Sequence, residues 1–597
     1  MATASLTRRM LFFIVLIVSV VIGLLSFRAA DVSPDGAPRT EFFSEIASAH
    51  IQSISQKPHP MGSEENLKVR NYIVAELLKL GITAEIQTTQ VPEYYTGQPS
   101  KLVDLNNIVA VIPGTASSGT IALSGHYDTV PTSFGANDDG SAVATLLEAA
   151  RALLAGSPLR NDVLLLFTDG EEPGQFRYGA RYFVDSYDNV EDIRVVLNFE
   201  ALGKSGPSIM FETAPGNDWL IEAFSKATPN PVAFSFMSDL YRSVARGGTD
   251  FIAFEESGIN GMDFAYPFER TIYHTALDAS DTLELRSLQH HGDYATDLTR
   301  YFGNQDLDES ASGGHQDYVF HSFFGTTLVY YPQVWGVALT IVTGLLLILV
   351  MFTGFKRGKL TPGGMIFSTG LFIIELIGIV ILTTLLWWGL DEAHHAFGIV
   401  VEPTIKTHLL FIAVLLLSFV AIVLFRKFTA KRLGFQNRIA GALVFWWLIT
   451  LLATFWLPGF NMVFAVPLAF GLIPIAWALI RAKHPNTWEG LIISSICAFV
   501  IIGITVAPIY LLFQAMGVSS PGFSGSPSFP IIGLALFFWV MLLSLLMTPF
   551  RIFGELGRKK VLYSITGIAV VLLATGVLLP GIDIESLLTN QQVPLGF

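Results

Sequence analysis

The chain has 597 residues, of which 51% are hydrophobic and only 14% charged, with a mean hydropathy of +0.53. That balance excludes a wholly soluble globular protein and predicts a polytopic membrane protein. The formal net charge of −13 argues against a nucleic-acid partner, and the single cysteine, Cys497, excludes an internal disulfide framework.

Arg8 and Arg9 precede an apolar run from Met10 to Phe27, and Arg28-Ala29-Ala30-Asp31 after it is a poor cleavage site. Residues 1–39 therefore read as a cytoplasmic N terminus with an uncleaved signal anchor at about 10–27. From 40 to 302 the composition is that of a globular domain. Its periodicities predict helices over 42–56, 64–80, 142–155, 179–185, 219–227, 250–256 and 282–301. Strands are predicted over 107–112, 121–124, 162–168, 195–198, 208–212 and 259–264. Such alternation predicts an α/β fold, a mixed, mostly parallel sheet with helices on both faces. Residues 303–330 are acidic, contain Ser and Gly, and read as a linker.

From 331 to 597 the pattern is an all-α polytopic bundle. Eight spans are predicted, near 334–354, 365–389, 407–425, 439–457, 461–480, 489–513, 530–548 and 561–580. Basic clusters containing Lys356, Arg426, Arg481 and Arg558 fall on every second junction. Asp391-Glu392, the adjacent His394 and His395, and the loop 515–529 belong to external connections. Positive-inside counting then puts the 40–302 domain and the C terminus outside the membrane. Glu375 falls near the middle of a span, either as a functional carboxylate or as a protonated group hydrogen-bonded within the bundle. No Asn-x-Ser/Thr acceptor occurs, which favours a bacterial plasma membrane over an organelle.

The chemistry begins where the strand at 121–124 runs into His126. Asp128 follows two residues later, and Asp138 twelve residues later at the start of a helical pattern. An imidazole, a short polar loop and a carboxylate at a helix start form half of a metal site. Further candidates are Glu171 and Glu172 after the strand at 162–168, Glu200 after the strand at 195–198, and His274. Each lies where a strand gives way to a loop, so all can converge on the carboxyl edge of one sheet. Adjacent Glu171 and Glu172 cannot easily bind one metal together, so one remains free to carry a proton. Two histidines and three carboxylates suit zinc and exceed what one open catalytic zinc needs, which points to two metals sharing a carboxylate.

The segments SGHYDTV, GANDDGS, DGEEPG, NFEALG and YHTALD resemble the co-catalytic dizinc exopeptidase family, which includes bacterial leucyl aminopeptidase and glutamate carboxypeptidase. The fusion to a multi-span region is similar to the endoplasmic reticulum metallopeptidase and vacuolar membrane protease branch. The resemblance implies a zinc exopeptidase-like fold and two zinc ions per chain sharing Asp138. His126 and Glu200 would complete one metal, and Glu172 and His274 the other. It further implies Glu171 as general base and Asp128 as the acceptor of the second His126 ring N–H. Asp139 would then be a supporting or helix-capping residue. Two positions depart from the pattern: Glu200 stands where many members have aspartate, and Phe251 follows Asp250 where histidine is frequent.

The implied function is a membrane-anchored aminopeptidase acting on peptides. The rival readings are a glutaminyl cyclase-like enzyme with one zinc, a catalytically inactive peptide-binding scaffold, and a transporter with an accessory ectodomain. His290 and His291 read as solvated residues on a polar helix.

Overall fold

The computed structural model describes residues 6–578 except 96–100, 174–175, 245–247, 312–314, 324–325, 397–404, 481–486, 517–528 and 554–558. The chain divides into two compact units, one spanning Leu25–Gln333, the other formed by the first helix and the chain from Val334 onward. Arg481, Arg558 and the expected external loop 515–529, except at its ends, lie outside the described residues.

In the first unit, seven strands form one sheet: β1 (Ala84–Pro92), β2 (Leu102–Ile112), β3 (Thr120–His126), β4 (Asp162–Thr168), β5 (Ile193–Ala201), β6 (Ile209–Thr213) and β7 (Gly261–Tyr266). Their order is β1-β2-β4-β3-β5-β7-β6. The central strands β4, β3, β5 and β7 run parallel, while β2 and β6 lie antiparallel to those beside them. The sheet is mixed, with helices on both faces, as expected. The run Val163 to Phe167 is wholly apolar because both of its faces are covered. Leu165 and Phe167 join Leu123 and Leu197 beneath the helices Gly140–Leu154 and Leu285–Gly303. Leu164, Leu166 and Val196 point the other way, against Phe183 and Phe254 of the helices Tyr178–Ser186 and Phe251–Glu256.

Two parts of this unit differ from expectation. β1 was not foreseen: its sequence AEIQTTQVP is mostly polar, yet it pairs residue for residue with β2 at the sheet edge, where half its surface need not be apolar. The stretch 303–330, expected to be a linker, folds. It carries the helix Leu307–Ala311 and a hairpin, β8 (Tyr318–Phe323) with β9 (Thr327–Pro332). Val319, Phe320 and His321 are buried, and Ala233 N–H donates to Ser322 Oγ at 2.8 Å. Val319 to Ser322 are buried in succession, but His321 and Ser322 interrupt the apolar run, so a six-residue strand leaves little signal.

In the second unit, eight helices among the described residues, the first helix included, are long and apolar enough to cross a membrane. The last expected span corresponds to the helix Lys559–Leu578, whose apolar stretch Val561–Thr575 is shorter. The helix Pro362–Ala396 runs on through Asp391, Glu392, His394 and His395, which therefore lie on helical turns rather than in a loop. Glu375 is buried and doubly paired: Arg426 Nε donates to Oε1 at 2.6 Å and Arg438 Nη2 to Oε2 at 3.0 Å. Two guanidinium groups converge on it, so both of its oxygens face cationic donors.

Candidate metal centre and catalytic site

β3 and β4 pair in parallel register with His126 beside Thr168. The residues that follow each strand therefore emerge at one level, with Glu200 near the end of β5 beside them. Two glycines permit the local geometry. A Cβ at Gly125 would lie 2.4 Å from the Ala142 Cβ, so only glycine lets the helix approach the strand end. Gly135 has φ 66° and turns the loop back over Thr129.

Asp138 and Asp139 do different work. Asp139 caps the helix Gly140–Leu154: its Oδ1 accepts from Ala142 N–H at 3.3 Å, and its Oδ2 from His126 N–H at 3.2 Å. Asp138 is left to face the site. Its loop is clamped by Asp278, whose carboxylate accepts from Asn137 N–H at 2.8 Å, Asn137 Nδ2 at 2.8 Å, Asp138 N–H at 3.2 Å and Ser133 Oγ at 3.2 Å. Asp278 had no assigned role in the sequence. Its only signal was its place four residues after His274.

Two donor groups meet on Asp138. His126 Nε2 lies 3.4 Å from Asp138 Oδ1 and 3.6 Å from Glu200 Oε2. His274 Nε2 lies 3.3 Å from Asp138 Oδ2 and 3.0 Å from Glu172 Oε2. Within each group the ligand atoms lie within 4.8 Å of one another. Asp138 Oδ2, Glu172 Oε1, Glu200 Oε1 and His274 Nε2 are buried and, among the described residues, have no partner in hydrogen-bond geometry. Orphaned donors and acceptors at this depth require compensation, and cations between the groups would supply it. The residues therefore fit a pair of metal ions.

Asp128 acts differently from expectation. His126 Nδ1 is 3.0 Å from the main-chain carbonyl of Asp128, its nearer partner, and 3.5 Å from the carboxylate. The carboxylate instead accepts the main-chain N–H of Glu171 at 3.1 Å and of Glu172 at 3.3 Å. The reason is local: a side chain two residues beyond the strand end reaches across to the loop after β4, while its own carbonyl sits under the imidazole. One residue thus orients His126 and fixes the Glu171-Glu172 turn.

The electrostatics follow from burying many carboxylates together. Burial lowers the affinity of His274 for a proton, but Glu172 and Asp138 outweigh it and push its pKa up to about 10. Burial raises Asp138, yet the imidazoles of His126 and His274 beside it pull it down to about 2. Glu172 is raised to about 7, by burial first and then by Asp138. Glu171, half-buried, is raised well above the usual carboxylate range, by burial first and then by Glu200, Asp250 and Glu172 against the opposing pull of His126. Such clustering draws in positive charge.

Two expectations change nearby. His290 and His291 are buried, not solvated. His291 Nδ1 lies 2.6 Å from Ser208 Oγ and its Nε2 3.0 Å from the Glu200 carbonyl; His290 Nε2 lies 3.0 Å from the Asn230 carbonyl. Burial lowers both, to about 4 and about 3. Their helix also buries Leu288, Tyr294, Ala295 and Leu298, and the imidazoles take interior places by pairing with main-chain carbonyls and Ser208. Phe251 is buried against Gly261, and Asp250 Oδ2 accepts from Thr168 Oγ1 at 2.5 Å.

The chain is similar to known proteins over part of its length. The profile of Peptidase family M28 matches residues 107–299, a stretch that includes all seven residues singled out above. The vacuolar membrane protease of Candida dubliniensis is 30% identical over 346 residues, covering 56% of this chain and 36% of that protein. Endoplasmic reticulum metallopeptidase 1 of Mus musculus is 28% identical over 301 residues, covering 48% and 33%. An aminopeptidase from Aneurinibacillus sp. strain AM-1, of known structure, aligns over 46% of this chain and 97% of its own at 15% identity, with a TM-score of 0.37. The chain spans about a third of the length of the curated relatives it matches. It carries a domain of Peptidase family M28.

Proposed function

We propose that this protein is a membrane-anchored, zinc-dependent exopeptidase, an aminopeptidase by preference, that hydrolyses peptides on the non-cytoplasmic side. The observation that supports it most is the division of Asp138 between two triads, Oδ1 toward His126 and Glu200, Oδ2 toward Glu172 and His274. Imidazole nitrogens and carboxylate oxygens suit zinc. When bound, two zinc ions would polarise the scissile carbonyl and lower the pKa of the attacking water.

The chain's own groups do the rest. Glu171, whose proton affinity is raised, takes the proton of the attacking water and delivers it to the leaving amine. Asp128 holds Glu171 and Glu172 by their main-chain N–H groups. Acidic side chains, Asp128, Glu171 and Asp250 beside Asp138, Glu172 and Glu200, give the site an excess of negative groups. That excess favours a protonated free N terminus over a carboxylate as the bound end. The alternation of basic and acidic junctions supports an external peptidase unit, and the lack of glycosylation acceptors supports a bacterial plasma membrane.

The test uses the full chain in detergent with aminoacyl-amides and N-blocked peptides, with and without a chelator, alongside elemental analysis. Release of free N-terminal residues, abolished by the chelator, with about two zinc ions per chain is expected. Cyclisation of N-terminal glutamine with one metal would replace this reading with the cyclase. A chain that binds no metal and cleaves nothing would replace it with the peptide-binding scaffold.

A further inference from the structure

The bundle unit contains a cavity of about 120 Å³ that has no part in the peptidase chemistry. Its wall is apolar, formed by residues such as Val350, Leu360, Ile439, Leu443 and Ile475. It lies where the helix Gln333–Lys356 ends, the helix Phe435–Trp456 begins, and the helices Asn461–Ile480 and Phe529–Phe553 end. These termini share one end of the bundle, which also carries Lys356 and Arg357. Its volume is of the order of cavities that take a benzene-sized apolar group, enough for a segment of an acyl chain.

The polar lining is one-sided in charge. Lys359, Arg551 and Gln436 line the cavity with Thr548, and none of the described lining residues is acidic. The Arg551 guanidinium sits 3.8 Å from the centre of the Phe435 ring, which fixes it at the cavity. Thr548 provides a second, independent sign. It is 4% exposed and its hydroxyl has no partner among the described residues. In this bundle Thr450, Thr454 and Thr505 all return their hydroxyls to the carbonyl four residues back. Thr548 does not, nor does Thr384, and of these two Thr548 lines the cavity.

We propose that this cavity binds an anionic phospholipid, with part of one acyl chain along Leu360, Leu443 and Ile475. The phosphate sits between Lys359 and Arg551, and the Thr548 hydroxyl donates to a phosphate or ester oxygen. Basic pockets between spanning helices at the cytoplasmic face recognise such headgroups through charge, and the apolar wall adds acyl burial.

The experiment is native mass spectrometry of the full chain in detergent, titrated with phosphatidylglycerol or with phosphatidylcholine of the same acyl chains. About one phosphatidylglycerol per chain is expected to stay bound in preference to phosphatidylcholine. The double variant Lys359→Gln/Arg551→Gln should bind it about thirtyfold more weakly, from roughly one charge contact each, while melting normally without lipid. Should that variant fail to fold, Lys359→Gln alone serves, because Lys359 is exposed in a loop, and Thr548→Val should also weaken retention. Equal retention of both lipids, or unchanged retention in the folded variants, means annular lipid only and overturns the proposal.

Discussion

Asp138 and Asp139 are adjacent and chemically alike, yet their surroundings give them separate tasks. Asp139 saturates its oxygens with the N–H groups of Ala142 and His126. Asp138 keeps an orphaned oxygen in the site. Asp138→Ala should therefore lose bound metal as well as turnover, read by elemental analysis of the purified variant. Full zinc content in that variant would remove Asp138 from the ligand set. Glu171→Gln should behave in the opposite manner, with metal content and melting near wild type while kcat falls about 10²- to 10⁴-fold. Measurable hydrolysis at the wild-type rate would mean the base lies elsewhere.

At the scale of elements, the helix Leu285–Gly303 and the hairpin β8–β9 carry a consequence for pH. His290 in that helix is held neutral by burial down to about 4, and His321 in β8 down to about 3. Above pH 6.5, folded and unfolded chains both hold these rings neutral, so neither contributes a pH dependence. Below it the unfolded chain takes up protons that the folded chain refuses, and stability falls toward the folded pKa values. The loss is about 2 kcal/mol per ring at pH 5. His321 is packed among Phe234, Phe236 and Phe323. His321→Phe should therefore flatten the acid limb between pH 6.5 and 5, as seen in melting temperatures of the full chain across that range. An unchanged slope would mean that His321 does not carry the dependence.

At the scale of the whole molecule, the two units solve different problems of burial. The sheet unit buries charge by clustering it where cations can compensate. The bundle buries Glu375 against Arg426 and Arg438. Removing one partner of such a set leaves buried charge uncompensated, at a cost of about 3–5 kcal/mol. Glu375→Gln should thus lower the melting temperature of the detergent-solubilised chain. A variant as stable as wild type but altered in ion uptake would revive the functional reading of this carboxylate.

Periodicity and composition were enough for the α/β sheet, its central strands and the run of apolar helices, because parallel strands covered on both faces and membrane spans both write long apolar stretches into the chain. The polar edge strand β1 and the short hairpin β8–β9 were not legible, since neither needs a continuous apolar face. At the site, residue types and their places at strand ends announced His126, Asp138, Glu171, Glu172, Glu200 and His274 as candidates. Only the tertiary structure decided which carboxylate oxygen faces which imidazole, that the Asp128 carboxylate serves two main-chain N–H groups, and that Asp278 clamps the loop. It likewise decided that His290 and His291 are interior. Those outcomes depend on contacts between residues far apart in sequence, such as the 141-residue separation between Asn137 and Asp278, and no local pattern encodes them.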